Sequence, residues 1–178
     1  MWIKRLAELY DRLVAALAFV GALLMGGMAL WVTYEVLMRY FLERPTFWAV
    51  DLSEYAMLWA AFLAAPWVLR RGRHVSIELV VIRLGFKAQH TLGVATSLVG
   101  AAICAVMAWQ GAFTVWDFYL RGVNFAREWQ IPQHTVYLAI PLGSALLVVE
   151  FLLGAVRSLR AARREATFLE RAAEERTI

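Results

Sequence analysis

A single cysteine, Cys104, and three histidines are all the thiol and imidazole in this 178-residue chain. One cysteine forms no internal disulfide, no CxxC redox pair and no thiolate metal cluster, and its place within an apolar run reads as packing. His74 and His90 fall in one connecting segment and His134 at the opposite edge. No two of them stand at ligand spacing facing each other across a helical core, as a membrane cytochrome requires. There is no Walker A loop, no GxSxG, no HExxH and no nucleophile with a base beside it. No catalytic residue, cofactor or metal is therefore expected. Charge is scarce as well: 18% of residues are charged, with none over long stretches and many over short ones.

What the chain has instead is apolar surface. Its hydrophobic fraction is 62%, against roughly 45–50% (glycine included) in a typical soluble domain. One shell of polar residues cannot hide that much apolar area in a protein of this size, so lipid has to be the solvent for most of it. The net charge of +4 does not point to nucleic acid. The basic residues flank apolar runs and are not interleaved with aromatics on a polar face, which is how membrane segments are anchored.

The expected fold is an all-α integral membrane protein, a single membrane domain over residues 1–160 followed by a charged tail over 161–178. Four spans are read at about 13–33, 47–69, 91–116 and 135–156. The first carries no charge and at about 1.5 Å per residue crosses the roughly 30 Å hydrocarbon core. Lys4, Arg5 and Arg12 precede it, but the run is too long for a signal-peptide core and no small-x-small cleavage site follows, so a retained helix is expected. The second enters near Pro45 with Asp51 and Glu54 at its start, where the helix dipole favours carboxylates, and leaves at Arg70. The fourth contains Pro141 and, near its end, Glu150. Between the second and third spans, Ile77, Val80, Val81 and Leu84 repeat at helical spacing with Glu78, Arg83 and Lys87 elsewhere on the wheel. This predicts a short amphipathic helix over 75–87 lying along the cytoplasmic interface.

Orientation follows from the basic residues. Of 18 Lys and Arg, fourteen lie in the N-terminal segment, the segment after the second span and the tail. The positive-inside rule places these three, and both termini, in the cytoplasm. Aromatics including Tyr34, Tyr40, Trp48, Trp116, Tyr119 and Tyr137 gather at the opposite helix ends, as an interfacial belt does.

Small residues recur at helical spacing as Ala18, Ala22 and Gly26 on the first helix and Gly100, Cys104 and Ala108 on the third. Such stripes let backbones approach, within the chain or against a second polypeptide. Glu35 and Arg39 stand one turn apart at the outer end of the first span, with Asp51 and Glu54 opposite. Structural ion pairing is the expectation, since nothing continues a relay across the bilayer. Glu150 is the deepest carboxylate, about 10 Å along a helix from Arg157. It is open to a cytoplasmic Arg or Lys reaching back to it, to a subunit contact or to ion coupling.

Several stretches are similar to the small membrane subunit of TRAP transporters (tripartite ATP-independent periplasmic transporters, DctQ-like). Arg39-Tyr40-Phe41, Pro45 and Trp48-Ala49-Val50-Asp51-Leu52-Ser53-Glu54-Tyr55 resemble that family's R-Y-x-x-x-x-x-P and W-x-E-E-L-x-R-Y stretch. Trp59 to Ala65 resembles its W-x-x-F-L-G-A, and Arg71-Gly72-Arg73-His74-Val75 with Glu78 its R-x-G-x-H-I…D. Ile131-Pro132, entering the last helix, is likewise similar. The chain departs from the pattern at Val50, where a carboxylate is common, at Glu54, where Arg is common, and at Ala64, where Gly is common. The departures leave Arg39 to pair most simply with Asp51 or Glu54.

The resemblance implies a subunit of the bacterial inner membrane in a sodium-coupled importer of organic acids. A large partner subunit would carry substrate and ion and move as an elevator, and a soluble periplasmic protein would deliver the substrate. The small subunit would widen the static scaffold and offer surface to the delivery protein, with Arg39, Trp48, Asp51, Glu54, Trp59, Arg71, His74 and Glu150 as candidate structural or interface residues. Two other classes stay open on the residues alone. One is the membrane anchor of a respiratory oxidoreductase, which would need core histidines or a quinone pocket. The other is a small self-sufficient four-helix transporter, which would place a carboxylate deep in the first helix.

Overall fold

The computed structural model describes residues 2–43, 48–72, 86–122 and 132–174. They form α1 (Trp2–Leu42), α2 (Trp48–Gly72), α3 (Phe86–Arg121), the short α4 (Gln133–Tyr137) and α5 (Ala139–Glu174). Four stretches, Glu8–Phe41, Trp48–Arg71, Leu92–Arg121 and Gln133–Ala161, are long and apolar enough to cross a membrane. The expected interfacial helix over 75–87 falls mostly outside the described residues, as does His74. Of that stretch only Phe86 and Lys87 are described, and they already belong to α3.

The helices outrun the apolar runs that betray them. α1 begins eleven residues before the expected 13, and α5 continues to Glu174, through most of the expected tail. Lipid defines where apolar side chains stop, but Lys, Arg, Glu and Ala are good helix formers, so the backbone has no reason to unwind there. Ends come where the backbone turns left-handed. Glu43 takes φ 54° directly after α1 and Gly122 takes φ 60° directly after α3, each the residue just past a helix. Between α4 and α5 the cause is Pro141. It has no N–H to offer the carbonyl of Tyr137, and the path is carried across by Leu138 N–H donating to His134 O at 3.1 Å and Leu142 N–H to Leu138 O at 3.4 Å.

Contacts pass from α1 to α2, from α2 to α5 and from α5 to α3; the first and last pairs run antiparallel, while α2 and α5 run parallel, Phe62 meeting Gly143 and Arg70 meeting Glu150. α2 and α5 thus hold the middle, while α1 and α3 flank them. The N-terminal ends of α1 and α3 lie with the C-terminal end of α2 and the outgoing part of α5 at one end of the bundle, called here the tail end; the C-terminal ends of α1 and α3 and the N-terminal ends of α2 and α4 share the other, the hairpin end. Most of the core is small: Ala49, Ala56, Ala60, Ala101, Cys104, Ala139, Ala155 and Ser144 are all buried. Lipid supplies no hydrophobic force between helices, so close packing of small residues has to hold them together.

Two contacts show how close. A Cβ on Gly100 of α3 would lie 2.6 Å from the Phe151 ring of α5. A Cβ on Gly143 of α5 would lie 2.6 Å from Phe62 Cβ and 2.8 Å from Phe62 O. Phe62 O is the carbonyl that Pro66, inside α2, leaves without its helical donor. α5 therefore meets α2 at the proline break, where only glycine lets the backbones approach.

The stripe expected on α1 is not the one it packs with. Val14, Gly21 and Glu35 are buried, at heptad spacing, and a Cβ on Gly21 would come within 3.1 Å of Ala60 O. Ala18 and Ala22 face an open groove, and a Cβ on Gly26 would meet nothing within 4 Å. On α3 the neighbourhood of the expected stripe does pack, through Ser97, Ala101 and Cys104.

Candidate functional site

Polar side chains are collected at the two ends of the bundle. At the tail end, Arg70 in the last turn of α2 bridges two carboxylates. Its NH1 lies 2.6 Å from Asp11 Oδ1 on α1 and its Nε 3.0 Å from Glu150 Oε1 on α5. Glu150 is fully buried, and Arg157, two turns further along α5, approaches its other oxygen at 3.8 Å. Tyr10 completes the cluster: its hydroxyl donates to Leu146 O at 3.3 Å and its ring lies 5.4 Å from the Arg70 guanidinium carbon. A carboxylate inside the bundle is costly unless charge and hydrogen bonds meet it. Two guanidiniums against two carboxylates balance the charge, and one side chain, Arg70, ties three helices.

Arg71, the next residue, points elsewhere. Its guanidinium carbon sits 4.3 Å from the ring centroid of Trp67, stacked and exposed. Trp67 in turn lines an apolar groove of about 580 Å³ between α1 and α2, floored by Gly21 and Ala60 and walled by Ala15, Ala18, Ala61 and Met57. The same seam holds a second hollow of about 280 Å³ near the hairpin end, where Glu35, Ser53 and Glu54 contribute to the lining.

At the hairpin end the ties are different. Trp31 Nε1 donates to Ser53 Oγ at 2.9 Å, and Ser53 donates to Ala49 O at 2.6 Å, joining α1 to α2. Tyr34 and Trp48 rings lie 6.5 Å apart across the same seam. Arg39 takes Glu35, one turn back on its own helix, at 3.7 Å, rather than the expected Asp51 or Glu54 across the hairpin. The i, i+4 neighbour is already alongside on the same helix, and the Arg39 side chain is 62% exposed. Asp51 is half-buried and Glu54 exposed on α2. Arg121 pairs with Asp117 at 2.8 Å, and Phe118–Tyr137 and Tyr119–His134 make edge contacts.

Of the residues singled out from the sequence, the structure joins Glu150 to Arg70 and Arg157, sets Trp48 against Tyr34, and leaves Trp59 half-buried on α2. It does not bring Arg39 to Asp51 or Glu54. Sequence reasoning missed Arg70 as the partner of Glu150, Asp11 and Tyr10 beside Arg70, and Trp31 with Ser53. The available signal was position: Asp11 and Arg70 close the two ends of an antiparallel pair. Among the described residues no three His, Cys, Asp or Glu are grouped so as to hold a metal ion.

Residues 28–161 match the sequence profile of the family described as tripartite ATP-independent periplasmic transporters, DctQ component. The C4-dicarboxylate TRAP transporter small permease protein DctQ of Rhodobacter capsulatus is 30% identical over 59% of this chain, a stretch that spans 46% of that protein, less than half its length. The protein of the same name from Vibrio cholerae is 23% identical over 85% of this chain and 73% of its own length. The ectoine TRAP transporter small permease protein TeaB of Halomonas elongata is 22% identical over 85% and 76%.

Proposed function

Since the chain belongs to the DctQ family of tripartite ATP-independent periplasmic transporters, we propose that it is the static, non-catalytic small permease subunit of such a transporter in a bacterial inner membrane. Its partners are a large membrane subunit, which carries substrate and coupling ion, and a periplasmic binding protein. Transport is secondary, sodium-coupled uptake of an organic acid. The tail end of the bundle is cytoplasmic and the hairpin end periplasmic, as the bias of basic residues requires.

One observation carries the reading: the most deeply buried charged cluster of the described residues is spent on holding helices together. Glu150, the deepest carboxylate, is tied by Arg70 and Arg157, and the groove of about 580 Å³ between α1 and α2 is lined by small, aliphatic and aromatic residues with no charged group. A group that must bind and release an ion cannot also be the fixed centre of a three-helix clamp. Large apolar side chains meanwhile cover the flanking helices, Phe19, Leu23 and Leu30 on α1 and Val106, Trp109 and Phe113 on α3, giving faces for lipid and for a second membrane subunit. Relatives named for a C4-dicarboxylate and for ectoine support the view that substrate choice lies in other subunits. At the hairpin end, Arg39, exposed on α1, offers charge to the binding protein.

The test is reconstitution. The chain alone in vesicles is expected to transport nothing, and to co-purify with the large subunit when the two are expressed together. Sodium-dependent uptake is expected only when both membrane subunits and the binding protein are present. Uptake by this chain alone would overturn the reading.

A further inference from the structure

The groove between α1 and α2 has an asymmetry that its apolar walls do not explain. On α1, Arg12 lies one turn before Ala15 on the groove face; on α2, Arg71 lies one turn after Trp67 and Val68 on the opposing wall. Because the two helices run antiparallel, both arginines come to the same end of the groove, the tail end. Both are exposed, and neither is in an ion pair with a described residue. Arg71 is held in place by its stack on Trp67. The adjacent carboxylate Asp11 is already engaged by Arg70 at 2.6 Å. The other end of the seam carries Glu35 and Glu54 instead. The tail end of the apolar slot is thus flanked by two exposed guanidiniums that are in no ion pair with a described residue.

We propose that this groove is a binding site for an anionic phospholipid of the tail-end leaflet, its acyl chain in the slot over Gly21 and Ala60 and its phosphate between Arg12 and Arg71. The charge at the mouth matches a headgroup phosphate, since guanidinium donors meet phosphate oxygens in pairs. From Ala15 to Met25 the groove runs about 15 Å along α1, a length that an acyl chain lying against the helix can fill. At the far end the lining carries Glu35, paired with Arg39, and Glu54, and no basic residue, so the headgroup is drawn to the tail end. The bound lipid then fills the void beside the Gly21–Ala60 contact and becomes part of the α1–α2 seam.

The experiment is native mass spectrometry of the full chain, purified with its membrane partner in mild detergent and titrated with phosphatidylglycerol or phosphatidylcholine of identical acyl chains. A retained one-to-one phosphatidylglycerol adduct is expected, in preference to phosphatidylcholine. Arg12→Gln and Arg71→Gln should each weaken it about fivefold, the effect of one interfacial basic residue, and Arg71→Lys should restore most of the loss. Ala18→Leu, which fills the slot from a lipid-facing position, should abolish the adduct while leaving complex yield unchanged. Equal retention of the two lipids, or a phosphatidylglycerol adduct indifferent to both arginines and to Ala18→Leu, would overturn the proposal. So would a photoreactive side chain at position 18 that cross-links, in native membranes, to a protein and not to lipid.

Discussion

Arg70 reaches from the last turn of α2 to within 3.0 Å of Glu150, a carboxylate with no exposed surface, while its other nitrogen holds Asp11 of α1 at 2.6 Å. The order in which α1, α2 and α5 are clamped at this end depends on that one guanidinium. Arg70→Ala should cost about 3–5 kcal/mol, the loss on removing one partner of a buried pair, because Glu150 is left buried without its nearer cation. Replacing both, Arg70→Met with Glu150→Leu, should recover much of it, since no charge is left stranded. Thermal unfolding of the purified complex measures both variants. A double variant as unstable as Arg70→Ala would show that the clamp adds more than charge compensation.

Arg157 contacts the same carboxylate at 3.8 Å but is half exposed. Its removal should therefore cost less than that of Arg70, close to the roughly 0–1 kcal/mol of a solvated pair. The same thermal assay ranks the two, and the opposite ranking would mean that Arg157 is the true counter-ion.

Glycine content separates two substitutions that look alike in the sequence. Gly143→Ala puts a methyl 2.6 Å from Phe62 and should lower the unfolding temperature, with α2 and α5 forced apart at Pro66. Gly26→Ala meets nothing within 4 Å and should be neutral or stabilising by about 0.5–1 kcal/mol, the helix preference for alanine over glycine. Equal effects from the two would contradict the packing described for α5 on α2.

Arg39→Ala removes an exposed pair within one helix and should change stability by no more than about 1 kcal/mol. If Arg39 serves the periplasmic binding protein, uptake falls while complex yield and melting stay constant. Loss of yield without loss of docking would assign Arg39 to assembly instead.

The topology has its own check. A reporter active only in the cytoplasm should work when fused after Arg160, and one active only in the periplasm when inserted at Asn124. Inverted signals would reverse the membrane orientation and the leaflet assigned to the lipid site.

The sequence by itself determined that this is a membrane protein of four spanning helices and to which family it belongs. Both are one-dimensional facts: a span is an uncharged run as long as the bilayer is thick, and motifs such as Arg39-Tyr40 and Trp48 to Tyr55 are read in order along the chain. Only the tertiary structure decided which faces meet. Ala18, Gly21, Ala22 and Gly26 are all small enough for a helix contact, and between helices in lipid no polarity difference marks the packed side; Gly21 won because Ala60 stands opposite it. Arg39 was free to choose among three carboxylates, and the structure pairs it with Glu35, its neighbour one turn back on α1. Glu150 needed a cation, but that it is Arg70, shared with Asp11, depends on α2 lying between α1 and α5. Helix neighbours are not written in the order of the spans, because short-range pattern fixes each helix while the partners come from shape matched across the whole bundle.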